Sequence, residues 1–456
     1  MFKRLALPKL LNWSAQPNHK PLIIRGARQV GKTTLVHQLA SHFEQYIYLN
    51  LELPSDRKPF MEFNNVDQLL QAVFFLQNKS YDLNRKNLLF IDEIQEVPEA
   101  LNILRYIYEQ APQLHVIAAG SMLESIFNKD IHFPVGRVSY LMLRPVSFPE
   151  FLLALDETAA YEQLENIPIQ AFAHDRLIAL FHTYAIVGGM PEVVAQYARH
   201  KDLRTLHPIY DSLIASYLDD VEKYARSDSQ SIHIRHVIQA SFHHAGHRIK
   251  FEHFGHSAYK SREMGEALRI AEKALLLHLV YPTTNASLPL IPAINKSPRL
   301  QILDTGLLNY RAGIQKDIIG TKDLSSVYQG IITEHIVGQE LLAFQFEALS
   351  GLSFWVREKN TSMAEVDYIF PFEGKLIPIE VKSGASGTLR SLHLYMDMAP
   401  HRMAVRMYAG PLMIHTMTTP AGKSYYLLNL PYFLTSRLED YLTWFQKQIE
   451  TGKILP

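Results

Sequence analysis

Unbroken apolar runs and segments with apolar residues every three or four positions alternate along the first 155 residues. Leu22 to Ile24, Tyr46 to Glu52, Leu88 to Ile91 and His115 to Ser121 read as strands. Between them the spacing is helical, as in Leu35, Val36 and Leu39. Fully apolar strands separated by helical stretches predict an α/β fold with a parallel sheet buried on both faces. From about Tyr161 to Tyr224 the pattern is helical, broken at Gly188-Gly189-Met190-Pro191, where Pro191 suits the first turn of a new helix. From about Ser231 to Asp304 an amphipathic helix, "SREMGEALRIAEKALLLHLV", runs into a strand; a loop follows, and "RLQILD" returns as a second strand. That order suggests a winged helix. In the tail, "EVDYIFPFEGKLIPIEVKSG" reads as two strands joined by a turn with Gly374 at its tip.

At 456 residues the chain is long for one core, so several domains are expected. With 47% hydrophobic and 20% charged residues, the composition is that of a folded protein. The formal net charge is zero, so no global field advertises a polyanion partner, although a local basic face is enough to bind one. The chain has no cysteine, which excludes disulfides, thiolate metal sites and a cysteine nucleophile, and fits a reducing compartment. The start, "MFKRLALPKLLNW", lacks a signal-peptide pattern, and no run of about 18 apolar residues occurs. A cytoplasmic protein without a membrane partner is the expectation.

The stretch "PLIIRGARQVGKTTL" carries G-x-x-x-x-G-K-T between a strand and a helix. Gly26, Ala27, Arg28, Gln29, Val30, Gly31, Lys32, Thr33 and Thr34 form the expected phosphate cradle. Its backbone N–H groups and helix N-terminus favour anions, Lys32 reaches the β- and γ-phosphates, and Thr33 ligates Mg²⁺. Asp92 and Glu93 close the apolar run Leu88–Ile91, where a parallel strand opens onto the ligand crevice. There Asp92 can hold Mg²⁺ through water, and Glu93 can orient or deprotonate the attacking water of ATP hydrolysis. Ser121 has two readings, a γ-phosphate contact or the N-cap of a helix over "MLESIF".

In the tail, a hairpin centred between Glu373 and Gly374 sets Asp367 opposite Glu380, about 5 Å apart at Cβ. Lys382 lies two residues beyond Glu380 and shares its face. Two carboxylates that close invite a divalent cation between them, with oxygen ligands suited to Mg²⁺ or Mn²⁺. Lys382 can then orient a water or stabilise a phosphorane. A solvated salt-bridge network is the competing reading. Arg357 is a candidate phosphate contact. The histidines between His233 and His256, His243 and His247 among them, lack the accompanying glutamate of a helical zinc site and read as a solvated or stacking face.

The segments "GARQVGKT", "LLFIDE", "AAGSMLES" and "FPVGRVSYLMLRPVSFPEF" resemble the AAA-type ATPases of bacteria and archaea related to the STAND and origin-recognition lineages. That resemblance implies a helical lid and offers Arg137 as an arginine finger acting in trans, which would require a homo-oligomer; a structural ion pair is its other reading. The carboxylate, turn and Glu-x-Lys resemble the restriction-endonuclease-like PD-(D/E)XK superfold, although Val366 stands where a proline is usual. The superfold implies a further glutamate from the preceding helix, Glu334 or Glu340, with Glu334 favoured. The expected organisation is a P-loop core over 1–155, a lid over 156–228, a winged helix over 229–315 and a nuclease-like domain over 316–456. The expected activity is ATP hydrolysis coupled to a tail that acts on DNA. The alternative is an ATP-controlled switch or scaffold whose tail does not cut.

Overall fold

The computed structural model describes residues 2–452 apart from 64, 122–135, 223–224, 226, 315–330, 348–349, 360–361 and 383–388. The "MLESIF" stretch, and with it the capping reading of Ser121, lies outside the described residues, as does the expected boundary at 315.

The front third is a five-stranded, wholly parallel sheet. Its strands are β1 (Leu22–Arg25), β2 (Gln45–Asn50), β3 (Asn87–Asp92), β4 (His115–Gly120) and β5 (Ser139–Met142), in the order β2-β3-β4-β1-β5. Alternation decides which core each side chain joins. Ile24, Phe90 and Ile117 face the helix Lys32–Ala40 and the main core. Ile23, Leu89, Ile91 and Val116 face a second core built on the helices Val66–Leu76 and Pro98–Gln110. With both faces covered, the loops after β1 and β3 leave the carboxyl ends of the strands and reach the same edge of the sheet.

The main core then runs without interruption into a helical region. The helix His174–Val187 stops at Gly188, and Pro191 opens the helix Pro191–His200, as the Gly-Pro punctuation requires. The helices His207–Glu222, Asp228–Ser241 and Ser261–Lys273 follow. After them come β6 (Leu277–Val280), the short β7 (Pro282–Thr283) and β8 (Arg299–Ile302), with β6 and β8 paired antiparallel. Among the histidines of this region, His236 Nε2 meets Phe254 O at 2.9 Å and His233 packs edge-on against Tyr259, while His243 and His247 are exposed.

In the tail, β9 (Phe354–Lys359) pairs with β10 (Ser362–Val366) and with β7. A second sheet takes β11 (Tyr368–Phe372), β12 (Lys375–Val381), β13 (Met403–Tyr408), β14 (Met413–Thr418) and β15 (Ser424–Pro431), in the order β11-β12-β13-β15-β14. Glu373 and Gly374 turn the hairpin at φ +41° and +77°, the left-handed pair that a two-residue hairpin turn needs. Tyr368 then pairs with Ile379 and Phe372 with Lys375, so the register read from the sequence holds. One feature differs. The strand expected to run through Asp367 is two strands in two sheets, β10 and β11, with Asp367 at the bend between them. There the Asp367 carbonyl accepts from Arg299 Nη1 at 3.1 Å and its Oδ2 accepts from Val381 N at 2.7 Å, which holds the corner.

The helix Ile331–Ala343 is the element about which the rest is arranged. His335, Gln339 and Glu340 on it are buried, as are Ile336, Val337 and Leu341. An α-helix apolar on one side only would leave such polar groups in water; here each meets a backbone donor. His335 Nε2 accepts from Ile302 N at 2.8 Å, Gln339 Oε1 from Thr305 N at 2.9 Å and Glu340 Oε1 from Phe148 N at 3.0 Å.

Candidate functional site

Gly31 sits at φ +93°, a left-handed conformation that a side chain would strain, and the helix Lys32–Ala40 begins directly after it. Lys32 is buried, and its Nζ donates to Gly26 O and Ala27 O, each at 3.0 Å. Burial lowers the Lys32 ammonium, while Glu93 and Asp92 oppose that shift. Thr33 Oγ1 donates to Asp92 Oδ2 at 2.7 Å, so the two oxygens expected at Mg²⁺ already lie together. Asp92 is buried at the end of β3, and Glu93 follows it in the left-handed region at φ +51°. Glu93 accepts from Gln95 Nε2, and burial raises its carboxyl above the usual range.

These groups border a cleft of about 750 Å³. Gln29, Gly31, Lys32, Thr33, Thr34 and Glu93 line one side, and Pro191, Glu192 and Arg199 of the helix Pro191–His200 line the other. Arg28 also faces it and is tied back to Asp220 of the helix His207–Glu222. Among the cleft residues that escaped the sequence reading are two arginines, Arg4 and Arg199. Arg4 is 6% exposed and forks three ways: Nε to Glu150 Oε1 at 3.0 Å, Nη1 to Val30 O at 2.8 Å and Nη2 to Arg144 O at 2.7 Å. No local motif marks it, because its partners lie 26 to 146 residues away. Ser121 is buried just beyond β4, outside the cleft lining. Arg137 is also outside it, exposed and paired with Glu109 Oε1 at 3.2 Å.

A second constellation lies at the end of the tail sheet. Glu334, Asp367, Glu380 and Lys382 feel one another's charge there. Lys382 Nζ donates to Glu380 Oε1 at 2.6 Å, while Glu380 Oε2 is buried with no hydrogen-bond partner. Burial and then Asp367 push Glu334 up to about 7 and Glu380 up to about 8; burial likewise raises Asp367. Lys382 is lowered by burial, yet Glu380 and the other carboxylates raise it overall. The unforeseen member is Arg299 of β8. Its guanidinium binds Glu365 and lies 3.8 Å from Glu334 Oε2 and 3.9 Å from Asp367 Oδ1. Burial alone would lower Arg299, and the carboxylates raise it instead.

For a divalent cation the fit is divided. The orphaned Glu380 Oε2 and the crowded carboxylates suit one. Among the described residues, however, no three His, Asp or Glu side chains are gathered closely enough to hold it. Glu340, the other candidate glutamate, points toward Phe148 and Tyr184 instead. Arg357 lies on β9 with its Nε buried and unpartnered.

Residues 18–152 match the model of an AAA domain. Residues 178–318 and 329–423 match two domains of unknown function, DUF8612 and DUF4143. No curated protein matches the chain. Among solved structures it is similar to the Walker-type ATPase paby2304 of Pyrococcus abyssi, at 14% identity and a TM-score of 0.45, over 68% of this chain and 96% of that one. The AAA-domain match covers the strands, P-loop and acidic pair described above, and this front region is a P-loop ATPase module of the AAA type. Among the described residues no helix is long and apolar enough to cross a membrane.

Proposed function

We propose that the chain hydrolyses ATP in the front cleft and uses the nucleotide state to control a restriction-endonuclease-like tail that acts on DNA. In this reading residues 1–155 are the ATPase core, 156–228 its lid, 229–315 a winged helix and 316–456 the nuclease-like domain. The observation that carries the coupling is the helix Ile331–Ala343. Glu334 on it belongs to the tail constellation, and Glu340, six residues or about 9 Å further on, accepts from Phe148 N and Tyr184 Oη on the ATPase side. A lid that shifts with ATP would move one end of a rigid rod whose other end carries a site glutamate.

For hydrolysis, Glu93 takes the proton of a water attacking the γ-phosphorus, the bond to the β-γ bridging oxygen breaks, and charge on the departing ADP falls toward Lys32 and the P-loop amides. Thr33 and Asp92 would hold Mg²⁺, which neutralises phosphate charge when bound. Arg137, exposed and paired with Glu109, would leave that partner to reach a neighbouring copy's nucleotide in a homo-oligomer. In the tail, Lys382 would position a water beside the scissile phosphate, with Glu334, Asp367 and Glu380 as ligands for Mg²⁺ or Mn²⁺. Exposed Lys250, Lys260, Arg262 and Arg269 give the winged-helix region a basic contact for the phosphate backbone.

The test is supercoiled plasmid incubated with Mn²⁺, with and without ATP. Nicking that Glu380→Ala abolishes, and that Lys32→Ala leaves unresponsive to ATP, supports this reading. A second reading, an ATP-controlled switch with a non-cutting tail, is favoured by Arg299, which already supplies a cation to three carboxylates. Salt-dependent DNA binding without cleavage under any metal would establish that reading and overturn the first.

A further inference from the structure

A cavity of about 280 Å³ lies where the ATPase core, the lid and the tail meet, and it shares Arg4 with the nucleotide cleft. Most of its charged walls are matched. Arg4 pairs with Glu150 at 3.0 Å, and Arg437 pairs with Glu165 and Asp440, each at 2.7 Å. Arg144 is the exception. It is 7% exposed, and its guanidinium meets a neutral group: Nη1 lies 2.8 Å from His278 Nε2. Burial and then the charge of Arg144 itself keep His278 far below its usual range, hence uncharged. Burial, and after it the neighbouring Arg25, lowers Arg144 to about 10, with no carboxylate opposing the shift. Its Nε is buried without a hydrogen-bond partner, and so is Ser436 Oγ, another wall of the cavity.

A buried guanidinium with no carboxylate partner is costly unless an anion completes it, and the structure places that unbalanced charge on a cavity wall. The remaining walls include Leu5, Leu143, Phe344 and Phe346 beside the paired Arg4 and Arg437, so the space joins apolar surface to one unmatched cation, Arg144. At roughly 30 Å³ per water molecule, the volume admits about ten heavy atoms. We propose that this cavity binds a small organic anion, an oxyanion head on an apolar body, with Arg144 and Ser436 holding the head. The ligand is an effector of ATP turnover. Arg4 Nη2 donates to Arg144 O and Arg4 Nη1 donates to Val30 O, so a shift of the Arg144 segment reaches the P-loop through one side chain.

The experiment is calorimetric titration of the full chain with benzoate and with phenyl phosphate, the P-loop being saturated with a non-hydrolysable ATP analogue. ATP turnover is followed in parallel. Two variants accompany it: Arg144→Met removes the cation, and Ala343→Leu fills the cavity while leaving Arg144 in place. The expected result is saturable binding of at least one probe, weakened tenfold or more by each variant, with a matching change in wild-type turnover at saturation. Preference between the probes tells carboxylate from phosphate. No saturable binding of either probe overturns the proposal. Unchanged affinity in Ala343→Leu also overturns it, whether or not Arg144→Met folds. Neither result bears on nuclease activity, so this site and the tail stand or fall separately.

Discussion

Tyr184 donates its hydroxyl to Glu340 Oε1 at 2.7 Å, joining the helix His174–Val187 to the helix Ile331–Ala343 where neither residue is exposed. Phe148 N donates to the same oxygen, and Glu340 Oε2 has no partner. The carboxyl is thus held by neutral donors only, and a neutral acid suits that setting better than an anion.

The consequence is a pH dependence of stability whose sign can be worked out. Burial pushes Glu340 up to about 8, with Glu150 adding to the shift, whereas in the unfolded chain it titrates near 4.5. Between those values the folded protein keeps a proton that the unfolded chain has released. This group's contribution is therefore full below pH 4.5, falls as pH rises, and levels off above 8. Glu340→Gln removes the titration. Its melting temperature should match wild type near pH 5 and exceed it by several degrees at pH 8.5. A difference that stays constant with pH would show that Glu340 is ionised in place.

Arg299 ties β8 to the tail constellation, and its removal would take the nearest cation from Glu334, Glu365 and Asp367, leaving Lys382 to act on Glu334 and Asp367. Breaking a buried pair from one side costs about 3–5 kcal/mol. Arg299→Met should therefore lower the urea midpoint strongly at pH 8. At pH 5.5 the loss should shrink, because Glu334, already raised to about 7 by burial and Asp367, takes up a proton in place of its partner. An equal loss at both pH values would argue that Arg299 contributes by packing against Phe354 and Tyr368 instead.

How far the sequence could be read follows from how far apart the partners lie. The P-loop is nine consecutive residues, and the hairpin register follows from one Glu-Gly turn, so local spacing was enough for both. The parallel sheet announced itself through strands apolar on both faces. Arg299, by contrast, reaches Asp367 across 68 positions, and Arg4 reaches Glu150 across 146. Neither has a motif, since a lone arginine in a strand or near a terminus reads as surface. The bend at Asp367 was hidden for a related reason. Alternation continues smoothly from Val366 to Phe370, and the parting of two sheets there depends on the long-range grip of Arg299.

Arg4 offers a prediction at the nucleotide itself. Its fork fixes Val30 O, Arg144 O and Glu150 at once, and it borders the cleft. Lysine carries the charge but cannot fill three directions from one planar group. Arg4→Lys and Arg4→Ala should both weaken ATP binding about tenfold, a change of about 1.4 kcal/mol, as read by fluorescent-nucleotide titration. Full affinity in Arg4→Lys would mean that charge alone matters.

Glu93 separates binding from chemistry. Its carboxylate lies on the cleft wall but follows β3 in a left-handed turn, so it touches the nucleotide region without belonging to the phosphate cradle. Burial raises it, which brings its proton affinity toward that of a general base working near neutral pH. Lys32 is different, because its ammonium is buried against the P-loop carbonyls where phosphate oxygens would arrive. Glu93→Gln should therefore bind ATP with near wild-type affinity and lose turnover by a factor of about 10²–10⁴. Lys32→Ala should lose both. Retained turnover in Glu93→Gln would move the base elsewhere, and retained binding in Lys32→Ala would undo the assignment of the cradle. Because a trapped ATP state then accumulates in Glu93→Gln, the same variant reports on coupling. If the helix Ile331–Ala343 transmits the lid's position, its amides near Glu334 should exchange hydrogen at a different rate when ATP is bound, and at the free-protein rate in Lys32→Ala.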